Sequence, residues 1–194
     1  SLAGRCVARD HLRCMKNIPL PRLALLLLML VPVMVATDAT AAPAPDGRPW
    51  IRLFNGTNLD GWTIKIAGEP LGVNYADTFR VEDGMIKVAY DKYEKFKSRF
   101  GHLYSNITYS RYILRMEYRF TGAKMPDAPR AVNLNSGVMI HAQSPQSLSL
   151  RQGFPASLEV QFLADEGKGP RSTANLCTPG THVEFKGQPY TQHV

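Results

Sequence analysis

Residues 78–89, TFRVEDGMIKVA, constrain the fold more tightly than any other stretch of this 194-residue chain. Asp83-Gly84 stands between two β-rich arms, and an Asp-Gly pair in that setting is the strongest short-range hairpin signal, because the favoured two-residue turn needs positive φ at both positions. The same grammar recurs downstream: short alternating runs cut by Gly, Asn, Asp and Pro, with no heptad, no internal repeat and no convincing amphipathic helix. Strands of this kind predict an all-β sandwich. In RYILRMEYRF (111–120), Tyr112, Leu114, Met116, Tyr118 and Phe120 alternate with Arg111, Arg115, Glu117 and Arg119, so half of the strand is meant for a core. ASLEVQFLAD repeats the logic, with Leu158, Val160 and Phe162 inward and Glu159 and Gln161 outward.

The length allows one good core rather than two full domains, and not all of it is expected in the mature protein. From Met15 the order is Lys16 and Arg22, an apolar run over 23–36, then small residues ending in Ala39-Thr40-Ala41. That is the order of a secretory signal peptide (15–41) with its cleavage site, and it predicts a periplasmic or secreted protein. The apolar run is shorter than the roughly 18–20 residues of a membrane span and contains Pro32, so no stable span is expected after cleavage. Residues 1–14 precede a plausible start Met and are expected to be a non-native upstream segment, 42–50 a Pro-rich linker, and 51–194 the folded domain. The chain stops at GQPYTQHV where a closed sandwich wants more strands, which predicts a C-terminal truncation.

Removing 1–41 lowers the net charge from +7 to +4, with 18 Lys and Arg against 14 Asp and Glu in 42–194. So small and scattered an excess does not indicate nucleic acid, and the basic stretch DKYEKFKSRF, interleaved with acids and aromatics, reads as a solvated loop or edge. Cys6 and Cys14 fall in the upstream segment, leaving Cys177 alone, either buried or missing a partner.

Chemistry concentrates in NLNSGVMIHAQSP (133–145). Ser136, Val138, Ile140 and Ala142 suit a core face, whereas Asn133, Asn135, Gly137, Met139 and His141 fall on the other. If this strand neighbours SLEVQF, then Asn135, His141, Glu159 and Gln161 project from one outer face, within the dimensions of a single sugar ring. Amides suit hydroxyl groups, His moves protons near neutral pH, and Glu serves as base, acid or cation ligand. The bland alternatives are a structural His, a solubilising Glu and an Asn-Ser-Gly turn. His102, at the start of a strand, is a weaker candidate for the same floor. Asp165 and Glu166 resemble a turn that could take calcium but match no EF-hand, and His182 and His193 define no zinc motif. NGT at 55 and NIT at 106 match the glycosylation sequon with little weight. Trp62, Tyr104 and Tyr109 can stack on sugars, but each is read in the first place as core or edge packing. The long connections 121–135 and 143–155 exceed what a hairpin requires and are where function commonly resides. No P-loop, dinucleotide fingerprint or Gly-x-Ser-x-Gly appears.

Five motifs in order, LFNGTNLDGW (53–62), FRVEDGMIKV (79–88), GHLYSNITYSRYILRMEYRF (101–120), NSGVMIH (135–141) and SLEVQFL (157–163), resemble the 3-keto-disaccharide hydrolase family over roughly residues 50–194. The resemblance implies a two-sheet antiparallel jelly roll of concanavalin or laminin-G type, exported by bacteria and acting on sugars oxidised at C3. Family members often carry Arg where this chain has His141, which removes an assumed Arg clamp. The departure resembles a subgroup that also carries NLCTPGTHV (175–183) and continues to a further Cys, so the resemblance implies that Cys177 has lost a disulfide partner. For a 3-keto-glycoside the ketone acidifies C2–H, so a base can drive elimination of the C1 substituent and water can then add. His141 and Glu159 are the expected catalytic residues and Asn135 and Gln161 the expected substrate-binding ones. No cofactor is demanded, although a divalent cation such as calcium could act as electrophile with an undefined ligand set. The rivals are a non-catalytic laminin-G-like carbohydrate-binding or adhesion domain on the same floor and, disfavoured, a β-glucanase, for which Gln161 stands where a second carboxylate is wanted.

Overall fold

The computed structural model describes residues 2–5 and 47–190. The chain divides into a unit of residues 1–6 and 51–194 and a second unit of residues 7–50, of which only 47–50 are described. The signal-like segment, residues 42–46 of the linker, Cys6, Cys14 and His193 therefore lie outside the described residues.

Among the described residues the fold is all-β, with short 3-10 turns and no α-helix, and the sheets are of the antiparallel kind that sandwiches are built from. In chain order the strands are β1 (Leu2–Arg5), β2 (Trp62–Ile66), β3 (Phe79–Glu82), β4 (Met85–Val88), β5 (Gly101–Ser105), β6 (Arg119–Phe120), β7 (Asn135–Ile140), β8 (Leu158–Leu163), β9 (Asn175–Cys177), β10 (Val183–Phe185) and β11 (Gln188–Tyr190). They assemble as β3-β4-β1-β6, β2-β5, β7-β8-β9 and β10-β11, every pair antiparallel.

The Asp83-Gly84 hairpin forms as the sequence predicts. Glu82 pairs with Met85, and the two turn residues take φ 51° and 69°, the positive pair that this turn requires. β1 comes from the segment expected to lie upstream of the native protein, and it pairs antiparallel with β4 on one side and β6 on the other. The core gathers around Ile64, Ile66 and Phe79, with Leu59, Tyr75, Val88 and Leu103 packed against it. Ile66 is fully buried, a contribution of about 1.5–3 kcal/mol for a side chain of its size.

Two expectations are corrected here. In 111–120 only Arg119–Phe120 forms a strand, and Tyr112, Leu114 and Met116 are more than 40 % exposed. The alternation is present, but among the described residues no strand runs beside 111–118, and a pattern becomes a ladder only where a neighbour satisfies its backbone groups. The stretch 91–100 is indeed a loop, yet it is not simply solvated. Tyr93 and Phe96 are buried, and Tyr90, Tyr93, Phe96, Phe100 and Phe154 form a chain of ring contacts at centroid separations of 4.5–6.4 Å. The intervening Asp91, Lys92, Glu94 and Lys95 face solvent, so the aromatics anchor the loop while the charges solvate it.

Candidate functional site

β7 and β8 alternate in opposite chain directions, and their register decides which side chains meet. Asn135 pairs with Leu163, Gly137 with Gln161 and Met139 with Glu159, while Glu159 and Gln161 pair onward with Cys177 and Asn175 of β9. Directly paired residues share a face, so Asn135, Glu159 and Gln161 do project on one side, together with Gly137, Met139, Leu163, Asn175 and Cys177. The opposite side carries Val138, Ile140, Leu158, Val160 and Phe162, and Phe162 stacks on Tyr118 at 4.2 Å between ring centroids.

Glu159 is the best-placed acid on this floor. A Cβ added at Gly137 would stand 2.5 Å from Glu159 Oε1, 2.8 Å from its Cγ and 2.8 Å from the Val160 carbonyl oxygen. The carboxylate therefore lies across the bare Cα of its diagonal neighbour, in space that any side chain at 137 would fill. Beside it, Gln161 Oε1 accepts a hydrogen bond from Asn175 Nδ2 at 3.2 Å, and the same Asn175 amide donates to the Ser172 carbonyl at 3.0 Å. Asn135 is committed elsewhere: its Nδ2 donates to the Ala131 carbonyl at 2.8 Å and ties the 3-10 turn Arg130–Val132 to the head of β7.

His141 departs from the expected pattern. The ladder ends at Ile140, and His141 takes φ 50° and is exposed, so the strand's alternation no longer sets where its imidazole points. The register thus brings together Glu159 and Gln161, puts Asn135 on the same face but bonded to its own turn, and leaves His141 at the rim beyond the strand.

Cys177 is a buried thiol opposite Glu159. Burial is the main cause that pushes its pKa up, to about 11, and the charge of Glu159 and a hydrogen bond to that side chain push the same way. A proton held so firmly makes the thiol a donor to the carboxylate rather than a nucleophile.

A second polar cluster escaped the sequence reading. β2 and β5 pair Lys65 with His102 and Thr63 with Tyr104, so these four share the face opposite Ile64 and Ile66. Lys65 is only 3 % exposed, and its Nζ donates to the carbonyls of Ile66 at 3.1 Å, Glu69 at 2.8 Å and Leu150 at 3.2 Å. His102 Nε2 donates to the Gly153 carbonyl at 2.7 Å, and its ring meets those of Tyr104 and Phe154. Burial lowers the His102 pKa more than the Gly153 bond raises it, and the Lys65 charge lowers it further. Burial also pushes the Tyr104 phenol up to about 12, and its Oη is buried with no hydrogen-bond partner among the described residues. This pair fastens the 143–155 connection to β2-β5. His102 belongs to that sheet's ladder and not to the one that carries Glu159. The only sequence signal was the alternation Thr63, Lys65 against Ile64, Ile66, which gives a face but not what covers it.

The acidic turn is held by its own neighbours. Asp165 Oδ1 accepts the Gly167 and Lys168 amides, and Glu166 is held by Arg130, Arg171 and Asn133. Burial alone would raise the Glu166 pKa, but the Asn133 and Arg130 hydrogen bonds and the charges of Arg171 and Arg130 outweigh it and lower it. Trp62 Nε1 donates to the Leu53 carbonyl, and the Tyr109 hydroxyl is buried while its ring meets that of Tyr112 edge-on. His182 is exposed. Among the described residues no group of three or more His, Cys, Asp or Glu is placed to hold a metal ion, and no helix is long and apolar enough to cross a membrane.

Residues 49–192 match the family described as the 3-keto-alpha-glucoside-1,2-lyase-like domain. No curated protein and no solved structure matches the chain.

Proposed function

Because the chain belongs to the 3-keto-alpha-glucoside-1,2-lyase-like domain family, we propose that it cleaves 3-keto-glycosides on the β7-β8-β9 face, with Glu159 as the base. The observation that carries this reading is the Glu159 carboxylate seated on the bare Cα of Gly137, in a row of amide side chains. A carboxylate there takes the proton from C2 of a sugar whose C3 is a ketone. The electron pair of the broken C2–H bond moves into an enolate, whose charge on the C3 oxygen is met by amide N–H donors such as that of Gln161. Collapse of the enolate forms C1=C2, breaks the C1–O bond and releases the aglycone alkoxide, which takes a proton. His141, exposed at the rim, is the group assigned to that proton transfer. Water then adds across the enone, its hydroxyl to C1 and its proton to C2, and the sum is hydrolysis. Asn135 frames the floor from the head of β7 through its turn. No step is routed through a cation.

The proposal includes a jelly-roll arrangement of the sheets, which the antiparallel ladders support, and an exported location, which rests on the signal-like order of residues 15–41. The test is incubation with a 3-keto-α-glucoside, following aglycone release, for the parent protein, Glu159→Gln and His141→Ala. The expected result is release by the parent, a loss of at least about 100-fold in Glu159→Gln and a smaller loss in His141→Ala. Equal turnover in the parent and Glu159→Gln would remove the site. Binding of the sugar without release by the parent would favour the carbohydrate-binding reading.

A further inference from the structure

Glutamate has three rotatable side-chain bonds, and a base on an open sheet face gains rate only if its oxygens are held toward the reacting C–H. Two neighbours supply that restraint. On β7, Gly137 is the one position of the floor with no side chain, and the separations of 2.5 and 2.8 Å show that Glu159 already fills the volume a Cβ would take. On the other side of β8, Cys177 is the cross-strand partner of Glu159 and is 7 % exposed. From the register, the side chains that share this face with Glu159 are Asn135 and Met139 of β7, Gln161 and Leu163 of β8, and Asn175 and Cys177 of β9, and of these only the thiol titrates.

We infer that Gly137 and Cys177 are positioning residues for Glu159: the bare Cα of one forms the seat its carboxylate occupies, and the thiol of the other donates to that carboxylate from the adjoining strand. The inference rests on the reading of Glu159 as the base, and it adds that the base is preset before substrate arrives. It also gives Cys177 a purpose as a thiol. The S–H proton is a weak donor, enough to favour the ionised carboxylate without neutralising it. Burial is the main reason the thiol proton is held, and the charge of Glu159 and the bond to it add to that in the same direction.

The experiment reads the Glu159 carboxyl directly by ¹³C NMR titration of protein labelled at glutamate Cδ, with the signal assigned by its loss in Glu159→Gln. The variants are Cys177→Ala, Cys177→Ser and Gly137→Ala. Removing the donor in Cys177→Ala raises the Glu159 pKa, and the hydroxyl of Cys177→Ser returns it to the parent value or below. With substrate, the acid limb of the kcat/KM profile moves with the titration. Gly137→Ala lowers kcat by about 100-fold with little change in KM, as expected for a displaced base. A Glu159 titration identical in parent, Cys177→Ala and Cys177→Ser overturns the inference, and the cysteine pair decides the question even if Gly137→Ala does not fold. Loss of stability in Cys177→Ala with an unmoved titration also overturns it, because that is what mere packing would give. A shifted titration in a parent that turns over no 3-keto-glycoside keeps the cradle and removes the catalytic reading. A Glu159-dependent turnover with no shift does the reverse.

Discussion

Replacing Lys65 by Met is the sharpest test of how the 143–155 connection is held. The methionine matches the lysine stem in length and apolar character but removes the ammonium that serves three carbonyls. Two of the three keep another donor, since the Glu69 amide reaches Ile66 O at 3.0 Å and the Gly68 amide reaches Leu150 O at 2.7 Å. Among the described residues the Glu69 carbonyl keeps no such main-chain donor. Leaving a buried acceptor unpaired costs about 1–3 kcal/mol, and weakening the other two adds roughly 0.5–1.5 kcal/mol each. Against this stands the relief of no longer burying a charge, the main cause that lowers the Lys65 pKa, with the nearby Glu69 charge opposing it. The balance is a loss of about 2–4 kcal/mol. With a urea slope of about 2 kcal/mol per molar, the middle of the usual range, the midpoint falls by roughly 1–2 M in equilibrium unfolding. Hydrogen exchange at the Gly68 amide, bonded to Leu150 O, accelerates in the same variant because the connection it binds is loosened. A midpoint lowered by less than about 0.3 M with Gly68 still protected would refute the reasoning, since Lys65 would then be an incidental passenger.

Other outcomes follow from the same geometry. The His102 pKa is held below its usual value, so as pH falls through about 6.5 the unfolded chain takes up a proton that the folded one refuses, and stability falls. Urea midpoints measured at pH 7.5 and 5.5 will show this decline, and His102→Gln will flatten it. Cys177, with its pKa pushed up to about 11, exposes a thiolate fraction of only about 10⁻³ at pH 8. Iodoacetamide followed by peptide mass mapping will therefore leave Cys177 unmodified in the native protein and modify it in urea. Gly84→Val forces a β-branched residue to φ 69° and costs about 1–2 kcal/mol in thermal or urea unfolding, although only the Gly56 carbonyl oxygen, at 3.9 Å, lies near the added Cβ.

Local signals were the legible ones. The Asp83-Gly84 turn depends on two residues and their φ angles, so the sequence alone settles it. The shared face of Glu159 and Gln161 follows from period-two alternation, and its alignment with Asn135 needed only that β7 and β8 be neighbours. His141 was misread because alternation was carried one residue past the end of the strand, and nothing in Ile-His-Ala announces a left-handed φ. Lys65 was invisible for a different reason: its burial is decided by Leu150, 85 positions away, folding back onto β2. The apolar alternation of 111–118 was real as a pattern, but a pattern does not supply the strand that must lie beside it. Cys177 shows the same limit, since its cross-strand partner Glu159 becomes visible only through the β8–β9 register.

The most direct measurement is to run the reaction on a 3-keto-α-glucoside in D₂O and examine C2 of the released 3-keto sugar by NMR. Proton abstraction by Glu159 followed by hydration predicts one deuterium at C2, acquired at the rate of aglycone release in the parent and lost in Glu159→Gln. Aglycone released with protium retained at C2, under conditions where C2 of the free product does not exchange, would contradict elimination and with it the role given to that carboxylate.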